Sequence, residues 1–318
     1  MQMKDFGFYR GVNLGGWFSQ CDYSKERLDH FITEQDMDII AGWGLDHVRI
    51  PMDYNVLETP EGALSAEGFD RIARAVEWCK KSGLKVVLDL HKTAGYSFDA
   101  AHQESGFFGS LPYQERFYRL WDGLAARFND PENIAFELLN EVTDASVIGE
   151  WNRIAAACIG RIRKIAPRSL ILVGSYWNNS PDAVKDLDVP ADDRVIYNFH
   201  CYDPVDFTHQ GATWIPDPAF DINRRVSFEE ADITPEYFEQ RFASAIETAA
   251  ARGTTLYCGE YGVIDRATPE DTVKWFRTIN EVLEKHEIAR SAWSYCEMDF
   301  GLSDARMDGV RKELIRYL

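Results

Sequence analysis

Short apolar runs alternate with amphipathic segments along almost the whole of this 318-residue chain. Eight runs have the length and composition of buried strands, and their starts lie about 25 to 60 residues apart, which leaves room for a crossover helix and its loops. The predicted strands are Arg10–Leu14, His47–Ile50, Lys85–Leu90, Ile134–Leu139, Leu170–Val173, Val195–Phe199, Thr255–Cys258 and Ala289–Trp293. This alternation predicts an α/β protein built as a (β/α)₈ TIM barrel.

Between these strands the apolar residues recur at helical spacing. The clearest predicted helices are Gly68–Lys81, Tyr113–Phe128, Ile148–Ile165, Pro235–Arg252 and Pro269–Lys285. The last two follow threonines, Thr234 and Thr268, which are typical capping residues when proline comes next. No linker rich in Gly, Pro or Ser divides the chain, so residues 1–318 are predicted to form a single catalytic barrel domain.

Two of the predicted connections are long. One covers Lys92–Pro112 after the third strand, and the other covers Asp203–Thr234 after the sixth. Both are rich in aromatic residues, and loops of this length in a compact domain usually bind ligands or form lids. Trp214 is the best candidate for a ligand platform in the second loop, although a tryptophan that merely anchors the loop to the barrel would look the same in sequence.

The charge balance narrows the choice of partners. The chain has 52 acidic and 34 basic residues, a formal net charge of −18, and no local cluster of Lys and Arg. Such a surface repels nucleic acid and anionic lipid. The N-terminal residues lack the apolar core of a signal peptide, and no later run is long enough to span a bilayer. We therefore expect a cytoplasmic monomer with no nucleic-acid or membrane partner.

The cysteines give no sign of disulfides or of metal binding. There are six, none in a Cys-x-x-Cys pair: Cys21, Cys79, Cys158, Cys201, Cys258 and Cys296. Most lie inside apolar segments, where a free thiol is usually a small buried hydrophobic group. We expect reduced thiols.

Polar residues stand where several of the predicted strands end. The apolar run Ile134–Leu139 gives way to Asn140 and Glu141, and a second glutamate, Glu260, ends the run Leu-Tyr-Cys-Gly-Glu. A buried carboxylate is costly unless it is paired or hydrogen-bonded, so its position needs a reason. Other candidates at strand ends are Arg49, His91, His200, Tyr202 and Trp293. Reactive groups of such barrels collect at the C-terminal ends of the strands.

Each of these residues has a structural explanation when taken alone. Arg49 could form a salt bridge inside the barrel, the histidines could cap strands, and Trp293 could belong to the core. Their expected convergence on one rim is what favours a catalytic site.

The segments around these positions resemble glycoside hydrolase family 5. The matching segments follow the family's order through the whole chain: Gly11-Val12-Asn13-Leu14-Gly15-Gly16-Trp17, Val48-Arg49-Ile50-Pro51, Leu90-His91, Leu139-Asn140-Glu141, His200-Cys201-Tyr202, Gly259-Glu260-Tyr261-Gly262 and Trp293. The resemblance is closest to the bacterial endoglucanase C-type β-glucanases. One departure is the connection after His200, which is shorter than the inserted subdomain of that group, so loop-dependent substrate preference stays open.

The resemblance implies a retaining glycoside hydrolase in which Glu260 is the nucleophile and Glu141 the acid/base. Retaining enzymes place these two carboxyl groups roughly 5–5.5 Å apart. Arg49 and Tyr202 would keep Glu260 ionised, whereas Glu141, with less positive charge nearby, would hold its proton near neutral pH.

The resemblance also implies roles for the remaining strand-end residues. His200 would orient Glu141 or tune its proton affinity, Asn140 would donate to the sugar 2-hydroxyl, His91 would bind another hydroxyl, and Trp293 would form an apolar floor.

The implied substrate is a β-1,4-glucan or mixed-linkage β-1,3-1,4-glucan, cleaved as chains or oligosaccharides without a cofactor or metal ion. Exo-acting β-1,3-glucanases and β-mannanases share the scaffold, so the fold and the catalytic residues do not choose among these substrates. The missing export signal and binding module favour soluble oligosaccharides.

Three other classes of barrel protein are less consistent with the sequence. A metal-dependent hydrolase would use the histidines, but their spacing matches no common metal motif, and Arg49 would disfavour a cation. A phosphate-using barrel would need a glycine-rich loop after the seventh or eighth strand, and none is present. A non-catalytic carbohydrate-binding barrel would have lost one glutamate, yet Glu141 and Glu260 are both present.

Overall fold

A closed barrel of eight parallel strands forms the centre of the molecule, with the strands adjacent in sequence order and β8 returning to β1. The computed structural model describes residues 2–99, 103–215, 217 and 219–318. The strands are β1 Arg10–Asn13, β2 His47–Asp53, β3 Lys85–Lys92, β4 Ile134–Glu137, β5 Leu170–Gly174, β6 Val195–Cys201, β7 Leu256–Tyr261 and β8 Ala289–Ala292. The predicted (β/α)₈ barrel is confirmed, and all eight strands form within three residues of their predicted bounds.

Helices cover the outside of the barrel, and the five predicted helices are all present, as α4, α5, α6, α9 and α10. The α-helices are α1 Lys25–His30, α2 Glu34–Gly42, α3 Tyr54–Leu57, α4 Ala66–Lys81, α5 Leu111–Arg127, α6 Ile148–Ile165, α7 Tyr176–Asn179, α8 Val205–Thr208, α9 Pro235–Ala251, α10 Pro269–Lys285 and α11 Arg311–Leu314. Short 3₁₀ helices lie at Met3–Phe6, Phe107–Gly109, Ala145–Val147, Pro181–Asp186 and Ala305–Met307.

The starts of α9 and α10 follow the predicted capping chemistry. The side chain of Thr234 accepts a hydrogen bond from the backbone N–H of Tyr237, and that of Thr268 accepts one from Asp271. Proline occupies the first turn of both helices, where its missing N–H costs nothing. These caps fix the start of each helix and therefore the end of the loop before it.

The connection between β5 and β6 departs from the regular pattern. This fully described segment has 20 residues and contains α7 and the 3₁₀ helix Pro181–Asp186 instead of a full-length helix. Pro181 and Pro190 restrict helix formation within it. The chain therefore turns sharply beside the rim of the barrel.

Three buried tryptophans on the outer helices are bonded to the rim of the barrel. Trp121 of α5 donates to the carbonyl of Leu138 at 3.0 Å, and Trp151 of α6 donates to that of Gly174 at 2.8 Å. Trp275 of α10 donates to a rim carbonyl in the same way. Each indole satisfies a carbonyl that the barrel leaves unpaired, so the helices are held in register with the strand ends.

The inside of the barrel is apolar at one end and polar at the other. Met3 and Phe8 belong to a small apolar cluster with inward-facing strand residues such as Leu172 and Ile196. The C-terminal half of the interior carries charged and amide side chains. The six cysteines all lie in the described part of the chain as free thiols. Among the described residues no helix has the length and apolar character needed to cross a membrane.

Bulges interrupt the strand pairing at the polar end. The pairing of β6 with β7 shifts between Phe199 and His200, so that His200 lies opposite Glu260 and Gly259 is skipped. A second shift occurs between β7 and β8 after Cys258. Bulges of this kind redirect side chains near functional sites, and here they set the direction of the two residues at the strand ends.

Candidate active site

A cleft of about 1050 Å³ opens at the C-terminal end of the barrel. Seven of the nine residues predicted from sequence to form a site line it: His91, Glu141, His200, Tyr202, Trp214, Glu260 and Trp293. The other two, Arg49 and Asn140, are buried beneath the cleft and bond to residues around it. The fold thus brings together residues that are up to 244 positions apart in the chain, from Arg49 to Trp293.

The two glutamates face each other at short range. One carboxylate oxygen of Glu141, one of Glu260 and a ring nitrogen of His200 all lie within 4.8 Å of one another. Glu141 is 7% exposed and Glu260 is 5% exposed. Two carboxyl groups this close suit a retaining mechanism, since inverting enzymes hold theirs roughly 6.5–9.5 Å apart to admit a water molecule.

Each carboxylate oxygen of Glu260 accepts a hydrogen bond. Arg49 donates to Oε1 from Nη1 at 2.7 Å, and the hydroxyl of Tyr202 donates to Oε2 at 2.8 Å. Both donors stabilise a negatively charged carboxylate and hold it in one orientation. Burial and the neighbouring Glu260 charge raise the pKa of Tyr202 well above its usual value, so the hydroxyl keeps its proton.

Arg49 is held by a buried network. Its Nε and Nη2 bond both oxygens of Glu137 at 2.7 and 2.8 Å, its Nη1 bonds Asn13 at 2.8 Å, and Asp89 lies 3.0 Å from Nη2. Burial alone would lower the pKa of Arg49, but the surrounding carboxylates hold it above its usual value. Asn198 donates a further bond to Glu137 at 2.8 Å. The guanidinium therefore has one fixed orientation.

Sequence reasoning missed the other members of this network, namely Asn13, Asp89, Glu137 and Asn198. One signal was available: Asp89 lies two positions before His91, and alternate residues of a strand face the same side. Glu137 carries no such signal because it stands in an apolar run. Burial raises the pKa of Glu137 to about 7, even though the charge of Arg49 lowers it.

The carboxyl group of Glu141 is also held at both oxygens. His200 Nδ1 lies 2.7 Å from Oε1, and the side-chain amide of Asn178 donates to Oε2 at 2.7 Å. Sequence reasoning missed Asn178, because a lone asparagine in a loop has no distinguishing pattern.

The expectation that Glu141 holds its proton near neutral pH in the free enzyme is wrong. Burial does raise the pKa of Glu141, but the hydrogen bond and charge of His200, together with Asn178, outweigh burial and lower it below its usual value. The pKa of His200 is raised: burial would lower it, but the charges of Glu260 and Glu141 prevail. Both shifts favour a negatively charged Glu141 beside a protonated His200, so the two groups titrate as a pair.

Two buried groups beside the pair have nitrogens without a partner among the described residues. Asn140 accepts from Arg49 Nη2 at 2.7 Å, which fixes the amide so that its Nδ2 is the unpaired atom. His91 Nδ1 lies 2.6 Å from Asp89, and its Nε2 is unpaired. Although burial opposes it, the charge of Asp89 raises the pKa of His91, and Nε2 is the ring nitrogen left for a ligand. Both groups suit ligand hydroxyls.

Aromatic side chains form the walls of the cleft. The ring of Trp293 lies nearly parallel to that of His91, with their centroids 5.9 Å apart. Trp214 is 47% exposed, which does not fit a tryptophan that only anchors its loop. Trp177, which sequence reasoning missed, follows β5, lines the cleft and is 58% exposed. Exposed flat rings of this kind suit the apolar faces of sugars.

The two long connections both contribute to the cleft. Phe98, after β3, meets His91 edge to face with centroids 4.9 Å apart, and Trp214 lies in the connection between β6 and α9. Parts of the predicted loops, at positions 100–102, 216 and 218, lie outside the described residues. A side cavity of about 390 Å³ shares the wall residues Gln20, Phe98 and Met298 with the cleft, so the groove continues past the carboxyl pair.

The two facing glutamates and His200 also offer donors for a cation. Glu141, His200 and Glu260 supply one imidazole and two carboxylates within 4.8 Å of one another. The guanidinium of Arg49, 2.7 Å from Glu260, opposes a cation at that oxygen. Metal binding there is therefore disfavoured by charge but not by distance.

The closed barrel carries two facing buried glutamates, one bonded to arginine and tyrosine and the other to histidine. This combination defines a glycoside hydrolase that works with a pair of carboxyl groups. The family model described as cellulase (glycosyl hydrolase family 5) matches residues 6–299. The chain belongs to glycoside hydrolase family 5.

Similar proteins include two bacterial enzymes. The chain is 57% identical to cellodextrinase A of Ruminococcus flavefaciens over 289 residues, which cover 91% of this chain and 85% of that protein. It is 37% identical to endoglucanase C of Acetivibrio thermocellus over 338 aligned residues, covering 98% of both. Among solved structures, Thermotoga maritima Cel5A in complex with mannotriose has a TM-score of 0.83 and 25% identity and covers 99% of both chains.

Proposed function

We propose that this glycoside hydrolase cleaves β-linked glucan chains or oligosaccharides with retention of configuration, with Glu260 as nucleophile and Glu141 as acid/base. The short separation of the two carboxyl groups, within 4.8 Å, is the observation that carries the proposal. The different partners of the two groups support the division of roles, since Arg49 and Tyr202 stabilise a carboxylate whereas the Glu141–His200 pair shares a proton.

In the first step an oxygen of Glu260 attacks the anomeric carbon, and the bond to the leaving-group oxygen breaks as Glu141 donates its proton. A bound sugar excludes water from the cleft, which favours the neutral form of Glu141 over the ion pair with His200. In the second step Glu141 takes a proton from water, which attacks the anomeric carbon and releases Glu260. Asn140 Nδ2 would bond the sugar 2-hydroxyl, and His91 Nε2 another hydroxyl.

Substitution of the two glutamates tests this division of roles. Glu141→Gln and Glu260→Gln should each keep the fold and reduce kcat by roughly three orders of magnitude or more, because either loss disables the pair. Azide should restore turnover to Glu260→Gly with an α-glycosyl azide as product, and to Glu141→Ala with a β-glycosyl azide. Near-normal turnover of either glutamine variant would refute the assignment.

The glucan substrate is supported by the relatives and by the shape of the cleft. One relative is named a cellodextrinase and the other an endoglucanase, and the cleft is large enough for several sugar units. Its side cavity extends the groove beyond Phe98, which favours oligosaccharides over single sugars. Release of reducing sugar from lichenan, carboxymethylcellulose, laminarin and cello-oligosaccharides would separate β-1,4, mixed-linkage and β-1,3 specificity, and a chain-length series would separate endo from exo action.

A β-mannan is the second candidate substrate. It is favoured by the mannotriose complex of Thermotoga maritima Cel5A, which shares this fold at 25% identity. Glucomannan should be included in the same assay, and a kcat/KM on manno-oligosaccharides equal to that on cello-oligosaccharides would establish a dual specificity. A non-catalytic barrel would bind these sugars without releasing product.

We also propose that the enzyme acts as a monomer without nucleic-acid or membrane partners. The net charge of −18 supports the absence of polyanion binding. The large exposed apolar side chains of the described residues belong to separate elements, for example Leu111 on α5 and Val189 before β6. Light scattering after gel filtration would test the monomer directly.

A further inference from the structure

The turn α7 after β5 has an unusual backbone. Trp177 and Asn178 have φ and ψ near +50°, and Asn179 also has a positive φ of 56°. Most residues other than glycine avoid this left-handed region because Cβ crowds the backbone carbonyl, and asparagine enters it more readily but usually as a single residue. Three in succession need strong support from the surrounding structure, and such strain concentrates at functional sites.

This turn contacts the acid/base and its neighbours. The side chain of Asn178 donates to Glu141 Oε2 at 2.7 Å, and its backbone N–H donates to the carbonyl of Val142 at 3.0 Å. The next residue, Asn179, donates to the carbonyl of Asn140 and lies 3.3 Å from His200 Nε2. One strained turn therefore touches both halves of the Glu141–His200 pair.

The turn is held in place from the side away from the cleft. A Cβ on Gly174 would lie 2.1 Å from the side chain of Asn179, so only glycine at this position leaves room for it. The hydroxyl of Tyr176 donates to Asp186 at 2.6 Å. These contacts fix the turn independently of any ligand.

We infer that Asn178 is a positioning residue for acid catalysis, and that the left-handed turn exists to hold its amide against Glu141 Oε2. This inference rests on the proposed role of Glu141. His200 bonds Oε1 of Glu141, and Asn178 bonds one lone pair of Oε2. The two bonds keep the carboxyl plane from rotating. The other lone pair of Oε2 is left for the leaving-group oxygen. Without Asn178 the terminal torsion of Glu141 would be broad.

The amide also affects the protonation of Glu141. It donates to the ionised form and so opposes protonation. The other titratable groups that face Glu141 are His91 from β3, Tyr96 from the connection after β3, His200 and Tyr202 from β6 and its end, and Glu260 from β7. Because these five groups remain in an Asn178 variant, a change in the pH profile of that variant reports the loss of the amide.

Asn178→Gly is the sharpest test, since glycine accepts the left-handed backbone while the amide is lost. Acid catalysis matters for a poor leaving group and not for a good one. On phenyl cellobioside, whose leaving group is poor, kcat/KM should fall about tenfold, a part of the 10²–10⁴-fold that general acid catalysis supplies. On dinitrophenyl cellobioside it should stay within about twofold. The alkaline limb of kcat/KM should move to higher pH, because Glu141 becomes a weaker acid.

Glu287→Gly is the matched control, because Glu287 has a positive φ of 55° at the opposite end of the barrel. Glu287→Gly should change neither the kcat/KM on either substrate nor the pH profile of kcat/KM. Equal losses of Asn178→Gly on both substrates, or no loss on either, would overturn the positioning role, provided that its melting temperature shows a folded protein.

Glu141→Ala, measured on the same two substrates, separates this inference from the proposed function. If Glu141→Ala loses activity on phenyl cellobioside alone while Asn178→Gly does not, only the role of Asn178 fails. If Glu141→Ala is normal on both, the acid/base assignment itself fails.

Discussion

At the scale of single residues, the site depends on the balance between buried positive and negative charges. Arg49 contacts Asp89, Glu137 and Glu260, all of them buried, so its one positive charge supports three carboxylates. Removing one partner from such a buried set typically costs about 3–5 kcal/mol, because the remaining charges lose compensation. The whole network therefore keeps Glu260, the proposed nucleophile, in position.

The raised pKa of His200 predicts a pH-dependent contribution to stability. The folded enzyme binds this proton more tightly than the unfolded chain, so the stabilisation is complete below the ordinary value of 6.5 and is lost as pH rises through the raised pKa. The melting temperature of His200→Asn should therefore lie furthest below that of the wild type below pH 6.5 and approach it as the pH rises through the raised pKa of His200.

Thermal melts of both proteins across this range would check the prediction. His30→Asn, at an exposed residue of α1, serves as the control and should differ from wild type by a constant amount. A constant difference for His200→Asn as well would show that its charge does not contribute to stability.

At the scale of elements, the bulge at Gly259 joins the strand pairing to the site. A Cβ there would lie 2.6 Å from Asn198 Oδ1, and Asn198 in turn bonds Glu137. Gly259→Ala should therefore cost about 1–3 kcal/mol through overpacking. It should also reduce kcat on the order of tenfold to a hundredfold by displacing the partners of Arg49.

Gly160→Ala is the matched control, because Gly160 is exposed within α6 and a Cβ added there would meet no heavy atom within 4 Å. It should raise stability by about 0.5–1 kcal/mol with unchanged activity. Denaturant melts and kcat on cellobiosides would compare the two. Unchanged activity in Gly259→Ala would mean that the bulge does not set the geometry of the site.

The connection between β6 and α9 is predicted to bind the outer units of the substrate through Trp214. Trp214→Ala should raise KM for long oligosaccharides roughly three- to tenfold, the effect of losing one aromatic contact. The melting temperature should barely change, because the side chain is 47% exposed. Short aryl glycosides should be hydrolysed almost normally. A lowered melting temperature with equal losses on long and short substrates would instead identify Trp214 as a packing residue.

At the scale of the whole molecule, the proposed chemistry uses side chains alone. Activity should survive exhaustive dialysis against a chelator, since no step needs a cation and Arg49 opposes one beside Glu260. The measurement is kcat/KM before and after dialysis. Loss of activity that a single divalent metal restores would point to the Glu141, His200 and Glu260 donors as a functional metal site.

Much of this protein can be read from its sequence because the relevant signals are local. Strand runs, helical periodicity and the Thr-Pro caps depend on neighbouring residues, and they predicted the barrel and its main helices within a few positions. Glu141 and Glu260 were also visible, since each is a carboxylate within two residues of the end of an apolar run. A parallel barrel brings such strand ends to one rim whatever their distance in sequence.

Only the tertiary structure decided which residues surround that pair and where its proton lies. Asp89, Glu137 and Asn198 meet Arg49 from separate strands, and Asn178 reaches Glu141 from a left-handed turn that no local pattern announces. The pKa of Glu141 is the clearest example. It depends on whether burial or the His200 and Asn178 donors prevail, and that balance is set by distances of a few ångströms between segments far apart in the chain.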